Sequence, residues 1–285
     1  MSEKGTLYLV ATPIGNLEDI TFRAVRTLKE VDIIAAEDTR QTMKLLNHFN
    51  ISVPVTSYYE HNKVTKGNIL ISHLLEGKNI ALVSDAGSPG ISDPGEDLVR
   101  LAVENGITVT MVPGPVAAIA GLVISGMPTG RFVFEGFLPM NKRSRRERLE
   151  FLKNETRTIV LYEAPHKLLY TLKDILQYLG NRKIALAREL TKLHEEVIRC
   201  TVEEAVEKYS LEPPRGEYVL IIEAADEMQI KEEKEKAWEQ MSIREHVDMY
   251  VNAGMGKKEA MKKAAEDRGL SKRDIYKSIL EEDDN

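Results

Sequence analysis

The residues best suited to chemistry lie in loops that follow apolar segments. The longest such loop, residues 84–95, has the sequence S-D-A-G-S-P-G-I-S-D-P-G. Its glycines let the backbone approach a ligand closely, and its prolines restrict the shapes that the loop can adopt. The Asp85 carboxylate can accept hydrogen bonds from a ribose or an amine, and backbone amides near Ile91 can donate to a ligand. This pattern indicates a small-ligand site, whereas Asp93 is more typical of a turn before a helix.

Two shorter polar clusters carry groups that can accept a proton or bind a phosphate. Residues 37–40 have the sequence E-D-T-R, and residues 59–62 have the sequence Y-E-H-N. Either Asp38 or His61 can act as a general base, and Arg40 can hold a phosphate. The alternative is that Asp38 caps a helix and His61 lies in an exposed loop, and the sequence leaves both interpretations open.

Comparable clusters occur in the second half of the chain. Residues 162–167 have the sequence Y-E-A-P-H-K, and residues 187–192 have the sequence A-R-E-L-T-K. They place the Glu163 carboxylate near a predicted cleft, and they place Lys192 where it can contact a phosphate.

A basic block at residues 141–148 contains five basic residues and one acidic residue. Because the chain as a whole has a formal net charge of −6, such a block indicates local contact with phosphates. A solvated helix face is the alternative interpretation. We favour RNA contact through Arg143, Arg145 and Arg146, because the preceding segment F-L-P places the block at the mouth of a cleft.

Apolar segments that alternate with helical patterns must position these loops. The first strands are predicted near residues 6–11, 31–36, 55–58, 80–84 and 108–112. They form continuous apolar runs, which predicts a mostly parallel sheet covered by helices on both faces. Because the carboxyl ends of parallel strands share one edge, most of the polar loops should meet at a single cleft.

The rest of the chain predicts a second α/β domain and a helical extension. Strands of the second domain are expected near residues 132–136, 158–162, 183–187, 196–199 and 218–222. We therefore predict α/β domains at 1–115 and 116–226. Residues 227–285 are predicted to form a linker and a helix-turn-helix-like extension, with a capping box that begins at Ser242.

Composition narrows the class of protein. The 285 residues are 42% hydrophobic and 29% charged, which is typical of a globular protein. The single cysteine, Cys200, excludes an internal disulfide, and the scattered histidines predict no metal site. No apolar run approaches the roughly 20 residues that a membrane helix needs, and no secretory signal is visible. We therefore expect a cytoplasmic protein with no membrane partner.

The motifs occur in a specific order along the chain. They are T-P-I-G-N-L-E-D at 12–19, E-D-T-R, the loop at 84–95, V-P-G-P at 112–115, E-G-F-L-P at 135–139, Y-E-A-P-H-K and A-R-E-L-T-K. In this order they closely resemble the bacterial 16S ribosomal RNA cytidine 2′-O-methyltransferase family, within the tetrapyrrole methylase superfamily. The resemblance covers about residues 5–225, and the helical extension resembles that of many family members.

The resemblance implies a homodimer of chains with two α/β domains, with S-adenosylmethionine in the cleft between the domains. It also implies methyl transfer to the ribose 2′-hydroxyl of a cytidine in the decoding centre of 16S ribosomal RNA, as free RNA or in the small ribosomal subunit. By motif, the residues expected near the cofactor are Pro13, Asp85, Gly87, Ile91, Ala117 and Ala118. The superfamily loop G-x-G-x-G-D is here T-P-I-G-N-L, a departure that fits an RNA substrate better than a tetrapyrrole.

Such chemistry asks little of the protein beyond orientation and electrostatics, because the cofactor already carries an activated methyl group. A ribose hydroxyl is a poor nucleophile, however, and a nearby base would help. We rank Asp38, then Glu163, then His61 as that base, with Arg40 and Lys192 holding phosphates. The alternatives are a methyltransferase acting on a corrinoid or porphyrin precursor and a non-catalytic RNA-binding module.

Overall fold

The computed structural model describes residues 3–239 and 241–283. These residues form two compact units. The first unit contains the described residues up to Lys153 together with Arg157–Glu223. The second unit contains Asn154–Thr156 and the described residues from Ala224 onward.

The first sheet is parallel, as the apolar runs predicted. Its strands are β1 (Thr6–Val10), β2 (Ile33–Ala36), β3 (Val55–Ser57), β4 (Ile80–Val83) and β5 (Thr108–Val112). Their order is β3-β2-β4-β1-β5, and neighbouring strands run in the same direction. Because β2, β4 and β1 are adjacent, the loops at their carboxyl ends meet at one edge of the sheet.

Helices cover both faces of this sheet. They are α1 (Phe22–Glu30), α2 (Thr39–His48), α3 (Lys63–Leu75) and α4 (Gly95–Glu104). Leu28 of α1 and Leu46 of α2 pack with Ile34 on one face. Leu70 of α3 and Leu98 of α4 pack on the other face, so the sheet is buried on both sides.

The second sheet is mixed. Its strands are β6 (Phe132–Gly136), β7 (Thr158–Glu163), β8 (Lys183–Arg188), β9 (Glu196–Thr201) and β10 (Tyr218–Ile222). Their order is β6-β7-β10-β8-β9, in which β6 and β7 are parallel and the other neighbours are antiparallel. The strands lie where the sequence predicted them, and the two-sheet α/β architecture is confirmed.

Helices also flank the second sheet. They are α5 (Ala117–Ser125), α6 (Lys142–Leu152), α7 (Pro165–Leu179) and α8 (Val202–Leu211). Helix α5 approaches the sheet closely at Gly121, where a Cβ atom would lie 3.2 Å from the side chain of Val219. On the opposite face, Leu149 of α6, Leu172 of α7 and Val202 of α8 belong to one apolar core.

One arginine of the basic block lies inside this core. Arg145 is only 6% exposed; its Nε donates to Asp174 Oδ2 at 2.6 Å and its Nη2 donates to Thr171 Oγ1 at 2.7 Å. The Thr171 hydroxyl in turn donates to Glu163. We call these four side chains the Arg145 network, and it joins α6 and α7 to the end of β7.

The burial of Arg145 corrects the expectation that it contacts RNA. Arg145 precedes the buried Leu149 by four residues, a spacing that places both on the same face of a helix. The many positive charges in the block make its buried helix face hard to recognise from the sequence. Arg143 and Arg146 lie on the exposed part of α6.

The second unit has an apolar core of its own. Its helices are α9 (Glu227–Glu239), α10 (Ile243–Asn252), α11 (Lys257–Arg268) and α12 (Lys272–Asp283). Val247, Met261 and Ile275 are buried among its helices. Ser242 forms the predicted capping box with Glu245. Across residues 3–239 and 241–283, no helix is long and apolar enough to span a membrane.

Replacing Arg145 by alanine should destabilise the first unit by about 3 kcal/mol, because it leaves a largely buried carboxylate without its cation. The matched control is Arg143→Ala on the same helix, which removes an exposed pair with Glu147 and should cost no more than about 0.5 kcal/mol. Thermal and urea unfolding of both variants measures the difference. Equal stability of the two variants would contradict the structural role of Arg145.

Candidate active site

A cavity of about 570 Å³ opens where the loops of the two sheets meet. Ile14, Asp85 and Gly87 line it from the first sheet, and Tyr162 and Val219 line it from the second. This volume is typical of a site for a small organic ligand. A cleft at the carboxyl ends of the strands is therefore present, and loops that follow β1, β2, β4 and β5 line it.

Two loops of the first sheet are joined at the floor of the cavity. The Thr12 amide donates to the Gly87 carbonyl at 2.9 Å, and the Gly87 amide donates to the Thr12 carbonyl at 3.1 Å. Gly87 has a φ of +82°, and a Cβ atom there would lie 3.2 Å from Ile14 and 3.3 Å from the Pro115 carbonyl oxygen. Only glycine combines this backbone conformation with so close an approach.

Asp93 organises the long loop at residues 84–95. Its carboxylate accepts hydrogen bonds from the amides of Gly90, Ile91 and Gly95 at 2.8–3.2 Å. Asp93 therefore forms the turn that its sequence context indicated. The Ile91 amide, which we expected to face a ligand, donates to Asp93 instead, although Ile91 itself lines the cavity.

Asp38 caps a helix beside the cavity. Its carboxylate accepts from the Arg40 amide at 2.8 Å and from the Arg40 guanidinium at 2.9 Å, and its own amide donates to Asp85 Oδ1 at 2.9 Å. The hydrogen bonds from Arg40 lower the pKa of Asp38, which makes it a weaker base. Asp38 is not among the residues that line the cavity, and its carboxylate forms an ion pair with Arg40.

Glu37, which is not among the bases predicted from the sequence, is the carboxylate of this cluster that lines the cavity. Burial raises the pKa of Glu37, and the neighbouring charges of Asp85 and Asp93 raise it further. A raised pKa suits a general base that works near neutral pH. The sequence contains one signal for Glu37. A helix follows Asp38, and an aspartate that caps a helix uses its carboxylate for the cap, so the Glu37 carboxylate stays available to the site.

The other two predicted bases differ in position. Glu163 lines the cavity but is 4% exposed, and its oxygens accept hydrogen bonds from the Ala164 amide at 2.9 Å and from the Thr171 hydroxyl. His61 is exposed beside Tyr59 and is not brought to the cavity. Glu163 is therefore committed to the Arg145 network, and His61 lacks access to a ligand in the cavity.

Lys192 lies at the cavity wall between two carboxylates. Its ammonium donates to Glu189 Oε1 at 2.9 Å and to Glu217 Oε2 at 2.7 Å. Burial alone would lower the pKa of Lys192, but these two hydrogen bonds raise it. The loop that carries Lys192 also explains why residue 15 is a glycine. A Cβ atom on residue 15 would lie 2.4 Å from Lys192 Cγ and 2.9 Å from Thr191 Oγ1.

The residues expected near the cofactor divide into two groups. Asp85, Gly87, Ile91 and Ala117 line the cavity itself. Pro13 lines an adjoining pocket that shares Asp85 and Lys192 with the cavity. Ala118 lies behind the wall, where its amide donates to the Tyr162 hydroxyl at 3.1 Å and fixes that ring.

Comparison with known proteins agrees with this architecture. Residues 6–206 match the family model of the tetrapyrrole (corrin/porphyrin) methylases. Ribosomal RNA small subunit methyltransferase I from Halalkalibacterium halodurans is 55% identical over 274 residues, which covers 96% of this chain and 94% of that one. The chain belongs to this methyltransferase family. The Bacillus subtilis member is 49% identical over 275 residues, with the same coverage of 96% and 94%.

A solved member of the superfamily shows the shared fold. Uroporphyrin-III C-methyltransferase from Thermus thermophilus, complexed with S-adenosylhomocysteine, is 21% identical with a TM-score of 0.54 over 76% of this chain and 97% of that one. The cofactor of this chain is S-adenosylmethionine. The cavity suits it, because apolar side chains such as Ile14 and Leu190 can contact an adenine while Asp85 can accept from a ribose.

The variant Gly87→Ala should weaken the binding of S-adenosylmethionine about tenfold, since the added methyl group strains a backbone with positive φ beside the cofactor. The control is Gly130→Ala, where a Cβ atom would meet nothing within 4 Å. Isothermal titration calorimetry measures both affinities. Unchanged affinity in Gly87→Ala would show that this loop does not contact the cofactor.

Proposed function

We propose that this chain transfers the methyl group of S-adenosylmethionine to the ribose 2′-hydroxyl of a cytidine in the decoding centre of 16S ribosomal RNA. The observation that carries the proposal is the 55% identity, over 96% of this chain, to a ribosomal RNA small subunit methyltransferase. The loop T-P-I-G-N-L supports it, because by the family resemblance it replaces the glycine-rich first loop of the tetrapyrrole methylases. A ribosomal substrate also favours a cytoplasmic location.

Within this function, Glu37 is our candidate for the proton acceptor. When bound, S-adenosylmethionine supplies an electrophilic methyl group. The hydroxyl proton of the ribose must leave as its oxygen becomes an ether, and a carboxylate in the cavity can take it. Glu37 has the cavity position and the raised pKa, whereas Asp38 is tied to Arg40.

We also propose that two chains assemble into a homodimer. On α5, the face turned away from the second sheet exposes Ile119 and Val123, which are 44% and 65% exposed. Exposed apolar side chains of this kind are typical of a surface that is covered in an oligomer. The homodimer implied by the family resemblance would cover them, and light scattering on the purified protein tests the mass.

The function is tested by methyl transfer from labelled S-adenosylmethionine to small ribosomal subunits from cells that lack the modification. Nucleoside analysis of the product should show 2′-O-methylcytidine. Naked 16S ribosomal RNA run in parallel distinguishes free RNA from the assembled subunit as substrate. Transfer to a corrin or porphyrin precursor, with none to RNA, would replace this proposal with the small-molecule alternative.

The role of Glu37 is tested by comparing Glu37→Gln with Asp38→Asn, which keeps a capping side chain on α2. Loss of the base should lower kcat about 100-fold in Glu37→Gln. Because the carboxylate must be deprotonated to act, the wild-type rate should fall with decreasing pH through a pKa above the usual glutamate range. Glu37→Gln should lose that dependence.

Two results would contradict this assignment. If Asp38→Asn is the variant that loses turnover, the first-ranked base of the sequence argument is correct. If Glu37→Gln instead weakens cofactor binding while kcat is kept, Glu37 binds the cofactor and does not take the proton.

A further inference from the structure

A loop at the rim of the cavity exposes two large apolar side chains. Phe137 and Met140, between β6 and α6, are 57% and 82% exposed. The loop is nevertheless fixed, because Leu138 is buried in the core and the Arg148 guanidinium makes two hydrogen bonds to Glu135. The exposure of Phe137 is therefore a property of the fold.

Phe137 extends an aromatic surface that begins inside the cavity. Its ring centroid lies 5.7 Å from that of Tyr162, whose hydroxyl is held by the Ala118 amide. The loop also approaches residues 84–95 closely, because a Cβ atom on Gly136 would lie 3.0 Å from Ser92 Oγ. Among the exposed phenylalanine and tyrosine side chains in the described part of the chain, Phe137 is the one that lines this cavity.

Exposed cations follow this loop along the chain, on α6. The Arg143 and Arg146 side chains are 87% and 65% exposed, and each guanidinium pairs with a glutamate one turn later on its own helix. Exposed pairs of this kind contribute little to stability. Each guanidinium can therefore exchange its glutamate for a phosphate at small cost, and arginine binds phosphate well.

We propose that Phe137, Arg143 and Arg146 form an RNA-binding rim on which the base of the methylated nucleotide stacks. This proposal rests on the proposed function, in which the ribose enters the cavity. The base attached to that ribose then lies at the mouth, where an aromatic ring offers a stacking surface. The flanking phosphates remain outside, near the two guanidiniums. The partner is an RNA strand whose target nucleotide is unpaired or turned out of its helix.

Stacking is tested with Phe137→Ala in the full-length protein. Binding of small ribosomal subunits, measured with S-adenosylhomocysteine present, should weaken about tenfold or more. The Kd for S-adenosylmethionine should stay within about twofold, and Phe137→Trp should restore subunit binding because it restores an aromatic face. The matched control is Phe151→Ala, since Phe151 is an exposed phenylalanine of α6 that does not line the cavity.

The outcomes separate the possible roles of the ring. A parallel loss of cofactor affinity would mean that Phe137 stacks on the cofactor adenine, and unchanged subunit binding would mean that it stacks on nothing; either result overturns the rim. An equal loss in Phe151→Ala would also overturn it. If the wild-type protein neither binds nor methylates subunits, that result contradicts the proposed function, and with it the RNA-binding rim that rests on this function.

The phosphate contacts are tested by a second measurement. Replacing Arg143 and Arg146 together by glutamine should weaken subunit binding and reduce the slope of log K against log salt by about 2. Phe137→Ala should leave that slope unchanged, since it removes no charge. A slope equal to that of the wild type in the double variant would overturn the assignment of these arginines.

Discussion

The paired backbone hydrogen bonds between Thr12 and Gly87 hold the site together. They join the loops after β1 and β4, whose strands are adjacent in the parallel sheet. With the two loops joined, Gly87 adopts a left-handed conformation close to Pro115. Pro115 lies in the segment that connects β5 to α5 and the second sheet. Gly15, in the same loop as Thr12, packs against residues 190–192, so the loop after β1 contacts both walls of the cavity.

Charge is distributed unevenly around the cavity. Carboxylates at positions 37, 85 and 163 line it, and the ammonium of Lys192 is matched by Glu189 and Glu217. Exposed guanidiniums lie outside the cavity, on α6 and at Arg40. A positively charged sulfonium is therefore favoured inside, whereas a polyanion is favoured at the rim. The two reactants of a methyl transfer to RNA carry these opposite charges.

The sequence predicted the strands well, because long apolar runs bounded by glycine and proline leave few alternatives. It did not predict the antiparallel pairing in the second sheet, since strand direction depends on connections that periodicity does not contain. For the site, the motifs located the loops that line the cavity and several lining residues, such as Asp85 and Gly87, but they did not point to Glu37. Asp38 and Glu37 are neighbours in sequence, yet only the path of α2 decides which one enters the cavity. Arg145 is a second residue whose surroundings the sequence did not predict. Its charge predicts exposure, whereas its position on the buried face of α6 requires burial.

The Arg145 network has a consequence for how the chain can evolve. Glu163 at the cavity wall and Asp174 on α7 are linked through one guanidinium and one hydroxyl. Removing a single member leaves a buried polar group without its partner, whereas replacing all of them with apolar groups can be nearly neutral. The effect of a substitution at any of these four positions therefore depends on the residues present at the other three. We therefore expect substitutions at these four positions to occur together during evolution.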